Sequence, residues 1–188
     1  LGKGARIGTS SLRRQAQLRH LWPDLIIEDI RGNVDTRLQK LRSEGLDGVV
    51  LAAAGLSRLG LNDQISEFFS LEEVLPAAGQ GALGIEVRSE DAKVISLVSH
   101  LEDRIARFTV TAEREMLRVL GGGCRVAIGA WARMERNLLV LEGMVATTDG
   151  SQLLRGRSDG PFENPEKVGQ ELADQLILQG AKAILNFK

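Results

Sequence analysis

The stretch "GARIGTSSLRRQAQLRHLWPDLIIEDIRGNVDTRLQKLRSEGLDGVVLAAAG", residues 4–55, decides the fold of the first part of this chain. It alternates strand and helix patterns. "ARIGTS" reads as a short strand, and "SLRRQAQLRHLW" sets Leu12, Ala16 and Leu18–Arg19 at helical spacing until Pro23 stops it. "LIIEDI", residues 25–30, is a β-rich apolar run. "GNVDTRLQKLRSEG" then reads as a helix with Asn33 as N-cap and Gly45 as C-terminal stop. "DGVVLAAAG" reads as a buried strand, followed by a short helical "LSRLG". Strand, helix, strand, helix, strand implies right-handed crossovers and a parallel sheet.

The pattern changes at Leu75. "LPAAGQGALGIEVR" is rich in Gly and Ala, then strand-like through Ile85–Val87, and "EDAKVISLVSHL" is an amphipathic helix. A longer helix, "EDRIARFTVTAEREMLRVL", sets Ile105, Phe108, Ala112, Met116 and Val119 on one face. Two strand patterns follow, "RVAIGAWAR" and "LLVLEGMVAT", joined by a short polar turn. Thr148–Gly150 is a hairpin signal leading into "SQLLRGRS". The last helix, within residues 164–187, has Pro165 in its first turn and Gly180 towards its end. The expected fold class is mixed α/β and α+β. A doubly wound, mainly parallel α/β domain precedes a small three-stranded antiparallel sheet with helices on one side.

Composition narrows the function classes. The 188 residues are 43% hydrophobic and 26% charged, the balance of a globular protein. No run of eighteen apolar residues occurs, and the N-terminal "LGKGARIGTSS" has no apolar signal-peptide core. No membrane partner and a cytoplasmic location are therefore expected. A single cysteine builds no disulfide framework, and with two distant histidines no metal site is expected. Net charge is −1, yet residues 1–42 hold nine Lys/Arg against four acids. A basic patch on a near-neutral, aromatic-poor chain suits a small anionic ligand and not nucleic acid.

The basic residues stand where an α/β sheet binds anions. Thr9, Ser10 and Ser11 sit at the first strand-to-helix junction, with hydroxyls able to cap the helix or hold an anion. Arg13 and Arg14 follow in the first helical turn, where cations oppose the helix dipole unless an anion is bound. The second crossover repeats the arrangement with Arg31 at the strand end and Arg37 one turn into the helix. These four arginines are expected to face one cleft, each capable of bidentate contact with a carboxylate or phosphate. Arg58 is a weaker fifth candidate, better explained by spacing alone as a surface charge. The lone Cys124 ends "GGGC", between a helix end and a strand start, beside Arg125. Arg125 would favour its thiolate, but no histidine pairs with it by sequence, so a tether suits it better than a hydrolytic nucleophile.

Five ordered motifs carry a resemblance. "IGTSSLRRQAQL", "IRGNVDTRLQKL", "LAAAGLSRLGL", "LPAAGQGALGIEVR" and "TAEREMLRVLGGGCRVAIGA" resemble the porphobilinogen deaminases (hydroxymethylbilane synthases). The strong match runs from residue 5 to about 131. The resemblance implies a transferase of tetrapyrrole (haem, chlorophyll) synthesis that joins four porphobilinogen molecules, with loss of ammonia, into hydroxymethylbilane. It implies a dipyrromethane cofactor bound covalently through a thioether to Cys124. Ser11, Arg13, Arg14, Arg31 and Arg37 would hold that cofactor. Arg58, Thr9, Ser10 and Gln80 would hold substrate carboxylates. Two positions depart from the family pattern: Gly121 stands where an acid is usual, and Ala127 where proline is common.

The same resemblance divides the chain into residues 1–75 (family domain 2), 76–103 (a return segment of family domain 1) and 104–188 (family domain 3). It places the proton-donating aspartate upstream of Leu1, so the 188 residues alone are expected to be inactive or nearly so. The full-length protein is expected to be monomeric. A two-lobed carboxylate- or phosphate-binding module without catalysis is the alternative.

Overall fold

The computed structural model describes residues 2–122 and 126–185. The first unit is a three-stranded parallel sheet with β1 (Arg6–Gly8) between β2 (Ile26–Glu28) and β3 (Gly48–Val49). Helix α1 (Leu12–Leu21) links β1 to β2, and α2 (Val34–Ser43) links β2 to β3. Both helices start as the sequence reading expects. Ser11 caps α1 by accepting from the Arg14 N–H, and Asn33 caps α2 by accepting from the Thr36 N–H. Because the strands are parallel, the loops after β1 and β2 both lie at the sheet's carboxyl edge, and the order 2-1-3 sets those two strands side by side. The core beneath is small: Ala5, Ile7, Leu18 and Leu25.

The second unit is an antiparallel sheet of β4 (Ala127–Glu135), β5 (Leu138–Ala146) and β6 (Leu153–Pro161) in sequential order. Arg136 and Asn137, both with positive φ (46° and 68°), make the two-residue turn between β4 and β5. Alternation then sorts the strands into two faces. Ile128, Ala130, Ala132, Leu139, Leu141 and Val145 pack against α5 (Arg104–Val119), α6 (Pro165–Leu178) and α7 (Ala181–Leu185). The opposite face is covered in part by the first unit. Ala16 of α1 packs with Leu75, Ala127, Met144 and Ala146 in a second core.

Helix α1 thus lies between the two sheets. Successive helical residues are turned by about 100°. Ala16 and Leu18 therefore project to nearly opposite sides. Leu18 enters the core of the parallel sheet, and Ala16 the antiparallel one. The β5–β6 turn completes the junction: Thr148 O accepts from Arg19 Nη1 at 2.7 Å, and Gly150 O lies 3.0 Å from His20 Nδ1.

Several sequence expectations need correcting. Ile85–Val87 forms no strand; the segment is irregular between Gln80 and α4 (Ala92–Ser99), and Ile85 is exposed. A strand needs a hydrogen-bonded neighbour, and among the described residues no segment pairs with this one. The apolar "VVLAAAG" is not one buried strand either. Only Gly48–Val49 pair with β1, and helix α3 (Ala53–Arg58) starts within the alanines, which favour helix. On α5, Ala112 and Met116 are buried as expected, but Ile105, in the first turn, is 60% exposed and lies outside the core. The final helix breaks at Gly180, whose φ of +107° separates α6 from α7.

The hairpin contact rests on Gly150, with φ +75°. A Cβ there would stand 2.8 Å from Ala16 O and from His20 N, both backbone atoms of α1. Gly150→Ala is therefore expected to destabilise the chain by about 2–4 kcal/mol, from left-handed strain and overpacking together. Urea unfolding measures this; a midpoint equal to that of the unsubstituted chain would refute the docking role of the turn.

Candidate functional site

The two crossovers bring their polar residues to one edge. Thr9 is buried just past β1, where its N–H donates to Glu28 O at 2.9 Å. Its Oγ1 accepts from the Ser11 N–H at 3.3 Å, so Thr9 shapes the loop from beneath. The single Ser10 hydroxyl proton has two acceptors in reach, Ile30 O and the Asp29 carboxylate. Both lie at the end of β2, so Ser10 fastens the first crossover to the second. That hydroxyl, and then Arg31, hold Asp29 below the usual carboxylate range. Arg31 itself is exposed (side chain 86%) and 3.5 Å from Asp29.

Arg13 and Arg14 leave the first turn of α1 side by side. Arg13 Nη2 donates to Gln80 Oε1 at 3.0 Å, and its buried Nε finds no hydrogen-bond partner among the described residues. Arg14 Nη1 donates to Val50 O, at the end of β3, at 2.9 Å. Burial, with the charge of Arg14 added, lowers the Arg13 guanidinium to about 10. Arg14 is lowered first by burial and then by Arg37. Arg37 Nε donates to Gly32 O at 2.9 Å in the loop before α2. Arg14 is therefore close enough to Arg13 and to Arg37 for repulsion with each, and none of the three is ion-paired with a carboxylate among the described residues. An orphaned buried donor in a cluster of like charge is costly without an anion and useful with one.

The structure thus gathers Ser11, Arg13, Arg14 and Arg37, with Gln80 bonded to Arg13. It leaves Arg31 and Arg58 exposed at the margin, Arg58 in the last turn of α3. Cys124 lies outside the described residues.

Two residues with no assigned part in the sequence reading hold this edge in place. Gln17 is buried, and its amide bonds both backbone groups of Leu75: Nε2 to Leu75 O at 3.1 Å, and Oε1 from Leu75 N at 2.7 Å. Glu113, on α5, is only 6% exposed. Its oxygens accept from Gly79 N at 2.6 Å and Ala132 N at 2.7 Å. Burial raises its pKa against the lowering effect of those two N–H groups. A faint signal existed for each. Gln17 stands between two apolar residues that both needed burial, and Glu113 interrupts the apolar face around Ala112 and Met116.

Comparison with known proteins gives one family. The model described as "Porphobilinogen deaminase, dipyromethane cofactor binding domain" matches residues 1–96, and "Porphobilinogen deaminase, C-terminal domain" matches residues 107–178. The chain is 51% identical over 186 residues to a porphobilinogen deaminase of Thiobacillus denitrificans, covering 99% of this chain and 61% of that protein. It is 50% identical over 185 residues to one from a Roseiflexus species, covering 98% and 61%. The corresponding protein of Roseiflexus castenholzii is 49% identical over 185 residues, with the same 98% and 61% coverage. The chain spans 61% of the length of the curated relatives it matches.

Arg13→Met keeps the stem and removes the buried charge. It is expected to raise the Tm of the ligand-free chain by about 2–4 °C, the equivalent of about 1 kcal/mol at this length. The same change should shrink the stabilisation that added citrate gives to the unsubstituted chain. Differential scanning fluorimetry with and without citrate reads both; a lowered Tm with unchanged citrate response would contradict an anion site built around Arg13.

Proposed function

Because the chain belongs to the porphobilinogen deaminase family, we propose that it is the cofactor-holding part of a transferase making hydroxymethylbilane from four porphobilinogen molecules with loss of ammonia. Residues 1–75 and 104–188 are the two working units of this proposal, and 76–103 is the return segment between them. The observation that carries it is the orphaned Arg13 Nε within the Arg13, Arg14 and Arg37 cluster. Such a cluster fits a polycarboxylate, and a dipyrromethane bearing acetate and propionate groups is one.

In this proposal Ser11, Arg13, Arg14, Arg31 and Arg37 hold the cofactor's carboxylates, and Cys124 forms the thioether to it. When bound, the dipyrromethane supplies the nucleophilic pyrrole carbon. The protein's share of the work is positional. Arg13 and Arg14 donate charge-assisted hydrogen bonds from fixed places, because Gln80 and Val50 O already occupy one arm of each. Ser10 keeps the two crossover loops together while the carboxylates bind across them. Exposed Arg58, with Ser10 and Gln80, receives carboxylates of units added later, while Thr9, expected from the sequence to hold substrate, is buried and supports the loop from beneath. The proton donor to the leaving amine is matched to none of the 188 residues, so this chain by itself is proposed to turn over little or no porphobilinogen.

Mass spectrometry of the intact protein, produced with its complete coding sequence, tests the proposal. The expected result is a mass excess of two pyrrole units that disappears in Cys124→Ser. An unmodified thiol in correctly folded protein would favour a binding module without catalysis.

A further inference from the structure

The buried Glu113 carboxylate is the one charged group inside the antiparallel unit's core among the described residues. A carboxylate at such a position is costly unless both oxygens are satisfied. Here they are, by N–H groups from two separate segments. Ala132 N lies on the outer edge of β4, two residues beyond Ala130 N, which donates to Pro76 O at 3.0 Å. Gly79 N lies in the turn that immediately follows Pro76. Glu113 therefore extends to Gly79 the edge contact that Pro76 begins.

That turn is small and strongly determined. Gln80 N donates to Ala77 O at 2.9 Å, and Gly79, third of the four residues, has φ +71° as a type II turn requires. Gln80 Oε1 accepts from Ala77 N at 3.2 Å and from Arg13 Nη2 at 3.0 Å. A continuous path of hydrogen bonds leads from Glu113 through the turn to the Arg13 guanidinium, across the junction between the two units. We infer that Glu113 is a positioning residue for carboxylate binding, which holds the 77–80 turn so that Gln80 pins one arm of the Arg13 guanidinium at the binding edge. This inference rests on the proposed function.

A residue that merely stabilised the fold would lower Tm and the active fraction without a specific effect on substrate affinity. A positioning residue acting through Gln80 changes affinity, and loses that effect once Gln80 is gone. The test is steady-state turnover of porphobilinogen by the protein with its complete coding sequence, in a cycle of Glu113→Gln, Gln80→Ala and the double variant. In Glu113→Gln, the amide replaces an acceptor by a donor facing a backbone N–H. The expected result is KM raised about fivefold by Glu113→Gln, but less than about twofold in the Gln80→Ala background. If Glu113→Gln does not fold, Gly79→Ala carries the same test. It strains the turn at positive φ while a Cβ meets nothing closer than 3.7 Å. Unchanged KM, or an equal rise in both backgrounds, overturns the inference alone. Absence of turnover by the unsubstituted protein overturns the functional proposal and this inference with it.

Discussion

The paired hydrogen bonds between the Gln17 side chain and the backbone of Leu75 hold together everything the site requires. Gln17 behaves as a short piece of strand, offering a donor and an acceptor to one residue of an irregular segment. Each such bond is worth only about 1 kcal/mol net, but leaving any of these buried groups unpaired would cost more. The clasp is therefore better understood as a constraint on geometry than as a large source of stability. It sets Leu75 against Gly129 of β4 and lets Pro76 reach the β4 edge. The crossing segment is thereby committed to both sheets at once.

Helix α1 is the element on which these requirements converge. Its first turn carries Ser11, Arg13 and Arg14. Its middle enters two cores through Ala16 and Leu18, and its last turn receives the β5–β6 hairpin through Arg19 and His20. A helix clamped on both sides and at its end cannot easily swing, so the arginines at its start hold their positions without a ligand. That rigidity is what makes a cluster of guanidiniums tolerable. Repulsion among Arg13, Arg14 and Arg37 would otherwise be relieved by movement into solvent, at the expense of preorganised anion binding.

Stability and binding are thus set against each other at one edge of a small sheet. The side-chain oxygen of Gln80 and the carbonyls of Gly32 and Val50 moderate the cost without neutralising the charge, since neutral acceptors lower the penalty and leave the cation available. Asp29 and Arg31, by contrast, form an exposed pair whose contribution is screened by water. Farther away, Arg133, Glu142 and Arg155 make a ladder on the open face of the antiparallel sheet, and Arg155 also bonds Leu71 O at 2.7 Å. The same segment that Gln17 clasps is therefore anchored a few residues earlier as well.

Local patterns alone determined the parallel and antiparallel character of the two sheets, the caps of α1 and α2, and the placing of Arg13, Arg14 and Arg37 at a strand-end edge, whereas Arg31, expected in the same cleft, is exposed at its margin. Each follows from spacing, turn chemistry or the polarity of crossovers, which act over a few residues. Tertiary structure decided the rest. Ile85–Val87 has strand composition but no partner among the described residues, and partners are not a local property. How many of the residues in 48–55 pair as strand, and which residues of α5 reach the core, depended on the neighbouring elements. The roles of Gln17 and Glu113 were least legible of all, because each bonds backbone groups far away in sequence. A buried amide or carboxylate acquires its function only from the donors and acceptors that folding brings to it.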